Sequence, residues 1–466
     1  MLRILIGNHI DPSIRDRGDL RAWTQRVLWF ARDGDLVILC DEPDPTFLAY
    51  AASHTGVDPA TLHVLVAPAG QHGGRLLDPE SLTSEEFVQA VRGVLGAACP
   101  GGVEEIFALW PSAAVARFAA ALGLTDRLPG AAFFAQGGGE PSNNKAIFRA
   151  LAAGAGVVIP AGAVVRSPDE AVAATATLLS GTDAVVVKQA HNGAGVGNQL
   201  VVLDPSKAYE HVGARHLHRL DGGDVKPIAA YWEDRWDWAS ADGRFPVVIE
   251  EFTPHMASVY SEHYVADDGT RPTEMGTLVY VGRRLSHQIV PLRGVDDEVR
   301  AQLRRGGTRL AEMWRAVGFR GHLSADAVVT RDGRVVFTEV NAQVSGSLHI
   351  YDVIAHRIVD VAAKPQRSVV EYHVPPTWAV PDLDTFLTAA GELGCGYDPA
   401  TRTGVIVSMP AIPLEPGRAQ FVFCLAYAAD ADRQPVFNAL DKRFATVPAG
   451  SYDASDHVGM PAPLTF

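Results

Sequence analysis

The sequence predicts an α/β protein in three parts: an N-terminal α/β domain over residues 1–130, a module of two α+β subdomains over 131–250 and 251–368, and a small C-terminal α+β domain over 369–466. Two patterns carry this. Short apolar runs alternate with helical periodicity through the first 130 residues, and β-rich pairs joined by tight turns dominate the middle. Composition agrees: of 466 residues, 47% are hydrophobic and 20% charged, enough apolar material for several cores.

In the first domain the strands are Leu2–Ile6, Asp35–Leu39, Leu62–Val66 and Glu105–Trp110, with helices Leu20–Ala31, Glu85–Leu95 and Pro111–Leu122 between them. No G-x-G-x-x-G follows the first strand, so nothing there argues for a dinucleotide. The glycine-rich Gln136–Pro141 closes this domain, and Ser142-Asn143-Asn144 supplies N-cap residues for a helix from Lys145 to Gly154. Strand Val157–Val165 comes next. Ser167-Pro168-Asp169-Glu170 is a capping box with proline at the first helical position, opening a helix to Leu179. Asp183–Gln189, Val247–Phe252 and Ser258–Val265 are further strands. Asp296–Phe319 is helical, with Val299, Leu303, Leu310, Met313, Trp314 and Val317 on one face. Gly306-Gly307 inside it costs about 1 kcal/mol per glycine against alanine, which predicts a kink or a close approach by another backbone.

Charge and cysteine usage exclude several classes. The net charge is −14 and there is no long basic run, so a nucleic-acid partner is not expected. Cys40, Cys99, Cys395 and Cys424 stand far apart and read as reduced thiols of a cytoplasmic chain. The opening MLRILIGNHIDP turns polar too soon for a signal peptide. No apolar stretch reaches the roughly 18 residues a membrane span needs.

The segment LSADAVVTRDGRVVFTEVN, Leu323–Asn341, holds the most telling chemistry. Asp332-Gly333 between β-rich runs predicts a two-residue hairpin turn, with Arg331 opposite Arg334. Asp326 then faces Glu339, and Asn341 shares their side of the sheet. Like charges directly opposite are destabilising, and a hard divalent cation such as Mg²⁺, which takes carboxylates together with substrate phosphates, would offset the repulsion. A solvated hairpin whose acids face water is the plainer alternative.

Upstream, Val185-Val186-Val187-Lys188 is a buried-type strand ending in lysine, followed by Gly193, Gly195 and Gly197. Glycines let backbone N–H groups approach an anion, and Lys188 would bring a positive charge to it. A flexible hairpin is the alternative here too. Gly-Lys occurs nowhere, which excludes a Walker A loop. Gly-x-Ser-x-Gly and His-Glu-x-x-His are also absent. His216 and His218 share one face of a strand but lack a third ligand. Trp232, Trp236 and Trp238 suit either a substrate-facing lid or a core.

Lys145, then Lys188 with its glycine loop, then Glu250-Glu251-Phe252, and finally Asp326 with Glu339-x-Asn341 resemble, in order and separation, the ATP-grasp ligases over about residues 130–365. The resemblance implies a pre-ATP-grasp N-terminal domain and an ATP-grasp module whose subdomains clasp ATP. It implies that Lys145 and Lys188 hold phosphates while the loop of Gly193, Gly195 and Gly197 closes over them. The Glu250–Thr253 hinge would read adenine through Glu251 C=O and Thr253 N–H, with Phe252 between, and Asp326, Glu339 and Asn341 would hold Mg²⁺. Two positions depart from the family. Gln343 stands where an arginine is common after Asn341, making Arg293 the candidate substitute, and His255-Met256-Ala257-Ser258 lacks the usual ribose-binding acid.

Within the superfamily the chain looks most like the pheganomycin-type peptide ligases of natural-product, antibiotic-forming pathways. The supporting residues are Ile6-Gly7-Asn8-His9-Ile10-Asp11, Asn143-Asn144-Lys145 and EVNAQVSGS from Glu339 to Ser347, together with the extra C-terminal domain. The implied activity is an ADP-forming carboxylate–amine ligase. It would join a small-molecule acid to an amine or peptide through an acyl phosphate, with ATP and Mg²⁺ as cofactors. An ATP-binding regulatory or scaffold protein of the same fold is the alternative. A carboxylase or phosphotransferase lacks its usual carrier motifs. A homodimer is compatible with the sequence.

Overall fold

The computed structural model describes residues 1–8, 19–98, 101–193, 195–207, 209, 213–214, 216–281 and 283–446. His9, Ile10, Asp11, Cys99 and the end of the expected C-terminal domain, residues 447–466, lie outside the described residues. The protein is mixed α/β. It divides into two compact units: Met1–Gly139 with His287–Pro291 and the chain from Gln343 on, and Glu140–Ser286 with Leu292–Ala342.

The first unit opens with four parallel strands, β1 (Leu2–Ile6), β2 (Leu36–Leu39), β3 (His63–Val66) and β4 (Val103–Ala108), ordered β3-β2-β1-β4. All five residues of β1 are buried, the pattern of a strand covered on both faces. Its one charged residue, Arg3, is paired with Asp35 at 2.5 Å. The helix expected over Leu20–Ala31 is α-helical only from Arg21 to Gln25 and continues as a 3₁₀ turn from Arg26 to Phe30. Distant carbonyls fix this turn: Arg26 donates to Ser345 and Val344, and the Trp29 indole donates to Ser408. Tertiary bonds have overridden helix propensity, which is weak for Val27, Trp29 and Phe30 in any case.

The second unit holds two sheets. In the first, β5 (Gly162–Val165), β6 (Ala184–Gln189), β7 (Asn198–Val202), β8 (His216–Arg219) and β9 (Val247–Glu251) run in the order β5-β9-β6-β7-β8. The strand expected over Val157–Val165 is shortened to β5. Pro160 has no N–H to donate, and Val157 N–H instead bonds back to Ala152, closing the preceding helix. Helices Pro168–Leu179 and Val225–Ser240 cover one face. Ser167 caps the first of these, as expected, although Glu170 returns its bond to Arg166 N–H rather than to Ser167. Trp232 is fully buried against this sheet, and the half-buried Trp236 and Trp238 pack on the same cluster, so of the two readings the core one describes them. They lie on one helix, whose apolar face must be covered.

The second sheet contains β10 (His255–Val265), β11 (Thr270–Val281), β13 (Gly321–Thr330) and β14 (Val335–Asn341); β12 (Arg284–Val290) lies between β11 and β13 in sequence. Helix Asp297–Ala316 packs on one face, capped by Asp296, which accepts from Val299 N–H at 2.8 Å. Val299, Leu303, Leu310 and Trp314 are buried as the periodicity predicts, whereas Val317 is 47% exposed because the helix has ended there. Gly306 and Gly307 mark a close approach: a methyl at Gly306 would run into the Phe337 ring, and one at Gly307 into Ser261 and His263.

The first unit is completed by β15 (Ser368–His373), β16 (Gly404–Glu415) and β17 (Arg418–Tyr427). His287–Val290 pairs with β15, which pairs with β17, which pairs with β16. Among the described residues no helix is long and apolar enough to cross a membrane.

Candidate nucleotide and metal site

Asp326 and Glu339 stand directly opposite each other, and Asn341 lies opposite Ser324 on the same face. The expected two-residue turn is not how this register arises. Thr330, rather than Arg331, bonds to Arg334, so the loop is Arg331-Asp332-Gly333, with Gly333 at φ +79°. A three-residue loop with glycine in the left-handed region is the next most favoured hairpin. The resulting one-residue offset is cancelled by a bulge between Phe337 and Glu339, which restores the Asp326–Glu339 pair.

Tyr260 on β10 extends the row to Tyr260, Asp326 and Glu339; a second row holds Glu262, Ser324 and Asn341. Asp326 accepts from Ser324 Oγ at 3.3 Å and from Asn341 Nδ2 at 3.4 Å. Burial and the neighbouring Glu339 push the Asp326 carboxyl well above the usual range. Burial also works to raise Glu339, but Lys145 and Lys188 outweigh it and hold this carboxyl below its ordinary value. The two environments thus push the facing carboxyls in opposite directions.

The two lysines meet this face. Lys145 Nζ lies 2.9 Å from Glu339 Oε2 and donates to Asn192 O at 2.6 Å. It begins a helix capped by Asn144, whose Oδ1 accepts from Ala146 and Ile147 N–H. Lys188 is the penultimate residue of β6, with Nζ 2.5 Å from Glu250 Oε2 and 3.2 Å from the carbonyl of Thr338, the residue at the bulge. Both lysine side chains are buried.

The glycine loop joins β6 to β7, with Lys188 opposite Asn198. It is tied from behind: Asn192, at φ +88°, donates to Gln189 Oε1, and Gln189 Nε2 donates to Trp238 O. Gly195 sits at φ +72° against the Gly213 carbonyl. A methyl at Gly197 would come within 2.9 Å of His191 O, so neither position admits a side chain. Ala194 is outside the described residues.

Glu250 is not placed to read a base. It is 2% exposed and bonds Arg149 Nη1 at 2.6 Å as well as Lys188, acting as counter-ion to two buried cations. Glu251 and Phe252 leave the strand with N–H bonds to Ala161 and Ala184, and Phe252 packs beside Ala184, Val186, Leu200 and Tyr209. Thr253 O accepts from His255 Nδ1 at 2.8 Å. Arg293 is exposed between β12 and the Asp297–Ala316 helix.

Three interactions escaped the sequence reading. Arg149 lies four residues after Lys145, on the same helix face, so helical periodicity could have found it. Nothing local signals the other two, Asn144 Nδ2 donating to His191 Nε2 at 3.2 Å and the Thr338 carbonyl at Lys188. Among the described residues no three His, Cys, Asp or Glu side chains gather as a metal cluster, His216 and His218 included.

Comparison with known proteins agrees with this architecture. Residues 24–124 match the Pre ATP-grasp domain family. No protein of curated function matches the chain in sequence. In structure, the chain is similar to an N5-carboxyaminoimidazole ribonucleotide synthetase solved as its ADP complex, at TM-score 0.56 and 14% identity over 94% of this chain and 95% of that one. It is similar to the biotin carboxylase domain of Hydrogenobacter thermophilus 2-oxoglutarate carboxylase, solved with MgADP and bicarbonate, at TM-score 0.58 and 13% identity over 95% and 90%. It is also similar to the L-amino acid ligase of Bacillus licheniformis, at TM-score 0.52 and 13% identity over 95% and 98%. The fold is thus the ATP-grasp fold behind a pre-ATP-grasp domain.

Proposed function

We propose that this chain is an ADP-forming, ATP-dependent carboxylate–amine ligase, and within that class a peptide ligase of the pheganomycin type serving natural-product synthesis. The observation that carries the reading is the meeting of Lys145 and Lys188 with the in-register Asp326–Glu339 pair and Asn341.

The donor set fits magnesium. It is all oxygen, and a metal cation between the two facing carboxylates would offset their repulsion. Asp326, Glu339 and Asn341 would hold the ion, which when bound would supply charge neutralisation on the phosphates. Lys145 and Lys188 would exchange their carboxylate partners for phosphate oxygens. The loop bearing Gly193, Gly195 and Gly197 would exclude water, Glu251 and Thr253 backbone groups with Phe252 would receive the base, and Arg293 is the candidate for the oxyanion. In the reaction, one substrate's carboxylate oxygen attacks the γ-phosphorus and ADP leaves. A second substrate's amine then attacks the acyl carbon, expels phosphate and loses its proton. No protein nucleophile is required, so the side chains position the reactants and stabilise charge. Residues 1–130, 131–368 and 369–466 are proposed as the functional domains, and the substrates as an amino acid-like acid with an amine or peptide.

The test is hydroxylamine trapping with Mg-ATP and a library of amino and aryl-acetic acids. A hydroxamate from one acid, absent with Glu339→Gln, supports the reading and names the donor. ATP bound tightly with no hydroxamate and no ADP across the library favours the binding-only alternative.

A further inference from the structure

Tyr280 lies on β11, where Ser258 faces Leu278 and Tyr260 faces Gly276. Alternation along the strand puts Gly276, Leu278 and Tyr280 on the same side of the sheet as Tyr260, Asp326 and Glu339. Its side chain is half-buried, and desolvation, reinforced by Asp326 and Glu339, pushes the phenol's pKa far up. The ring does not end at these acids. A methyl in place of the Gly213 hydrogen would come within 3.1 Å of Tyr280 Cε1, 3.3 Å of Oη and 3.4 Å of Cζ. Gly213 in turn lies under the glycine loop: a methyl at Gly195 would strike the Gly213 carbonyl, which accepts from Asn198 Nδ2 at 2.9 Å. A contact chain therefore runs from the acid-bearing sheet through Tyr280 and Gly213 to Gly195 and Asn198 in the other sheet of the same unit.

We propose that Tyr280 is the seat of the glycine loop, a positioning residue whose ring, through Gly213, sets how closely Gly195 and its neighbours lie over the phosphates. Its importance for nucleotide rests on the proposed ATP-dependent reading; the contact itself does not. The nearest approach to Gly213 is by the ring carbon Cε1, so the ring edge is expected to carry the contact and the hydroxyl to add little. The chain runs through glycines at both steps: a side chain at Gly195 would overlap the Gly213 backbone, and one at Gly213 would press on the Tyr280 ring.

Hydrogen exchange of peptides spanning Gln189–Leu200 tests this, measured for the full chain alone and with Mg-AMPPNP. In the free protein Tyr280→Ala is expected to speed exchange in this segment on the order of tenfold, while Tyr280→Phe leaves it at the wild-type rate. Gly213→Ala, which adds bulk on the other side of the contact, is expected to loosen the same segment and serves if Tyr280→Ala folds poorly. With Mg-AMPPNP at saturation, wild type and Tyr280→Phe gain protection there and Tyr280→Ala gains less. Unchanged exchange in both Tyr280→Ala and Gly213→Ala overturns the proposal, as does a Tyr280→Phe variant as loose as the alanine. If Mg-AMPPNP does not bind wild type, the nucleotide reading fails, and the free-protein comparison still decides the seat.

Discussion

Glu250 offers the sharpest separation between a structural and a ligand-facing role. Its carboxylate is buried between Arg149, at 2.6 Å, and Lys188, at 2.5 Å. Replacing it with alanine leaves two buried cations facing each other with no anion between them. Breaking a buried pair by removing one partner costs about 3–5 kcal/mol, most of it the desolvated charge left behind. The unit that contains it has about 200 residues, and a domain of that size shifts by about 2–4 °C per kcal/mol. The calorimetric transition of that unit should therefore fall by roughly 6–20 °C in Glu250→Ala. The triple variant Arg149→Met, Lys188→Met, Glu250→Leu should recover most of that loss, because apolar replacement of a whole buried ion cluster is often neutral or better. It should not recover nucleotide binding. A Glu250→Ala shift under about 2 °C, accompanied by weakened ATP binding alone, would mean that the carboxylate faces the ligand and that the counter-ion account is wrong.

Three further outcomes are expected. Lys188→Ala and Glu339→Gln should each lower kcat/KM by about 10²-fold or more, the scale of one oriented charge contact in a transition state; near-wild-type steady-state turnover in both would remove the proposed site. Burial pushes Glu371 up to about 7 from an ordinary 4.5, against the bonds from Gln288 and Ser408 that pull it down. Because the folded state keeps a proton that the unfolded state has released, its contribution is intact below pH 4.5 and fades as pH rises through about 7. Wild type should lose about 3 kcal/mol across that window that Glu371→Gln does not lose, checked by denaturant midpoints at a series of pH values. Gly307→Ala should destabilise by about 1–3 kcal/mol through overpacking against Ser261 and His263, despite alanine's better helix propensity; a raised denaturant midpoint would contradict the close approach.

Local signals revealed much of the fold. Periodicity gave the Asp297–Ala316 helix and its buried face, because an isolated amphipathic helix is written within its own residues. The Asp326–Glu339 pairing was legible too, although by a turn that is one residue longer and a bulge that takes the residue back. The longer turn is held by Thr330, whose hydroxyl bonds Asp332 and Arg334, while the bulged Thr338 turns its carbonyl to Lys188, a partner that no local pattern encodes. The 3₁₀ turn at Arg26–Phe30 was hidden because its hydrogen-bond partners lie far along the chain, whereas the shortened β5 follows from Pro160 and the Val157–Ala152 bond close by. At the site, the lysines and acids stood out by type and order. Glu250 misled because a hinge strand ending in two glutamates does not say which one turns inward; Arg149, a turn beyond Lys145, settles that. Trp232, Trp236 and Trp238 left two readings open because three tryptophans in one segment suit a lid as well as a core, and only the sheet beneath them decides.

The most direct test of carboxylate activation follows one oxygen atom. The protein would be supplied with Mg-ATP, an amine mixture and amino acids carrying ¹⁸O in their carboxyl groups, and the released phosphate weighed by mass spectrometry. An acyl-phosphate ligase transfers one carboxyl oxygen, so phosphate bearing a single ¹⁸O should appear together with ADP and disappear in Glu339→Gln. Turnover that gives unlabelled phosphate, or ¹⁸O in AMP with pyrophosphate released, would contradict the account.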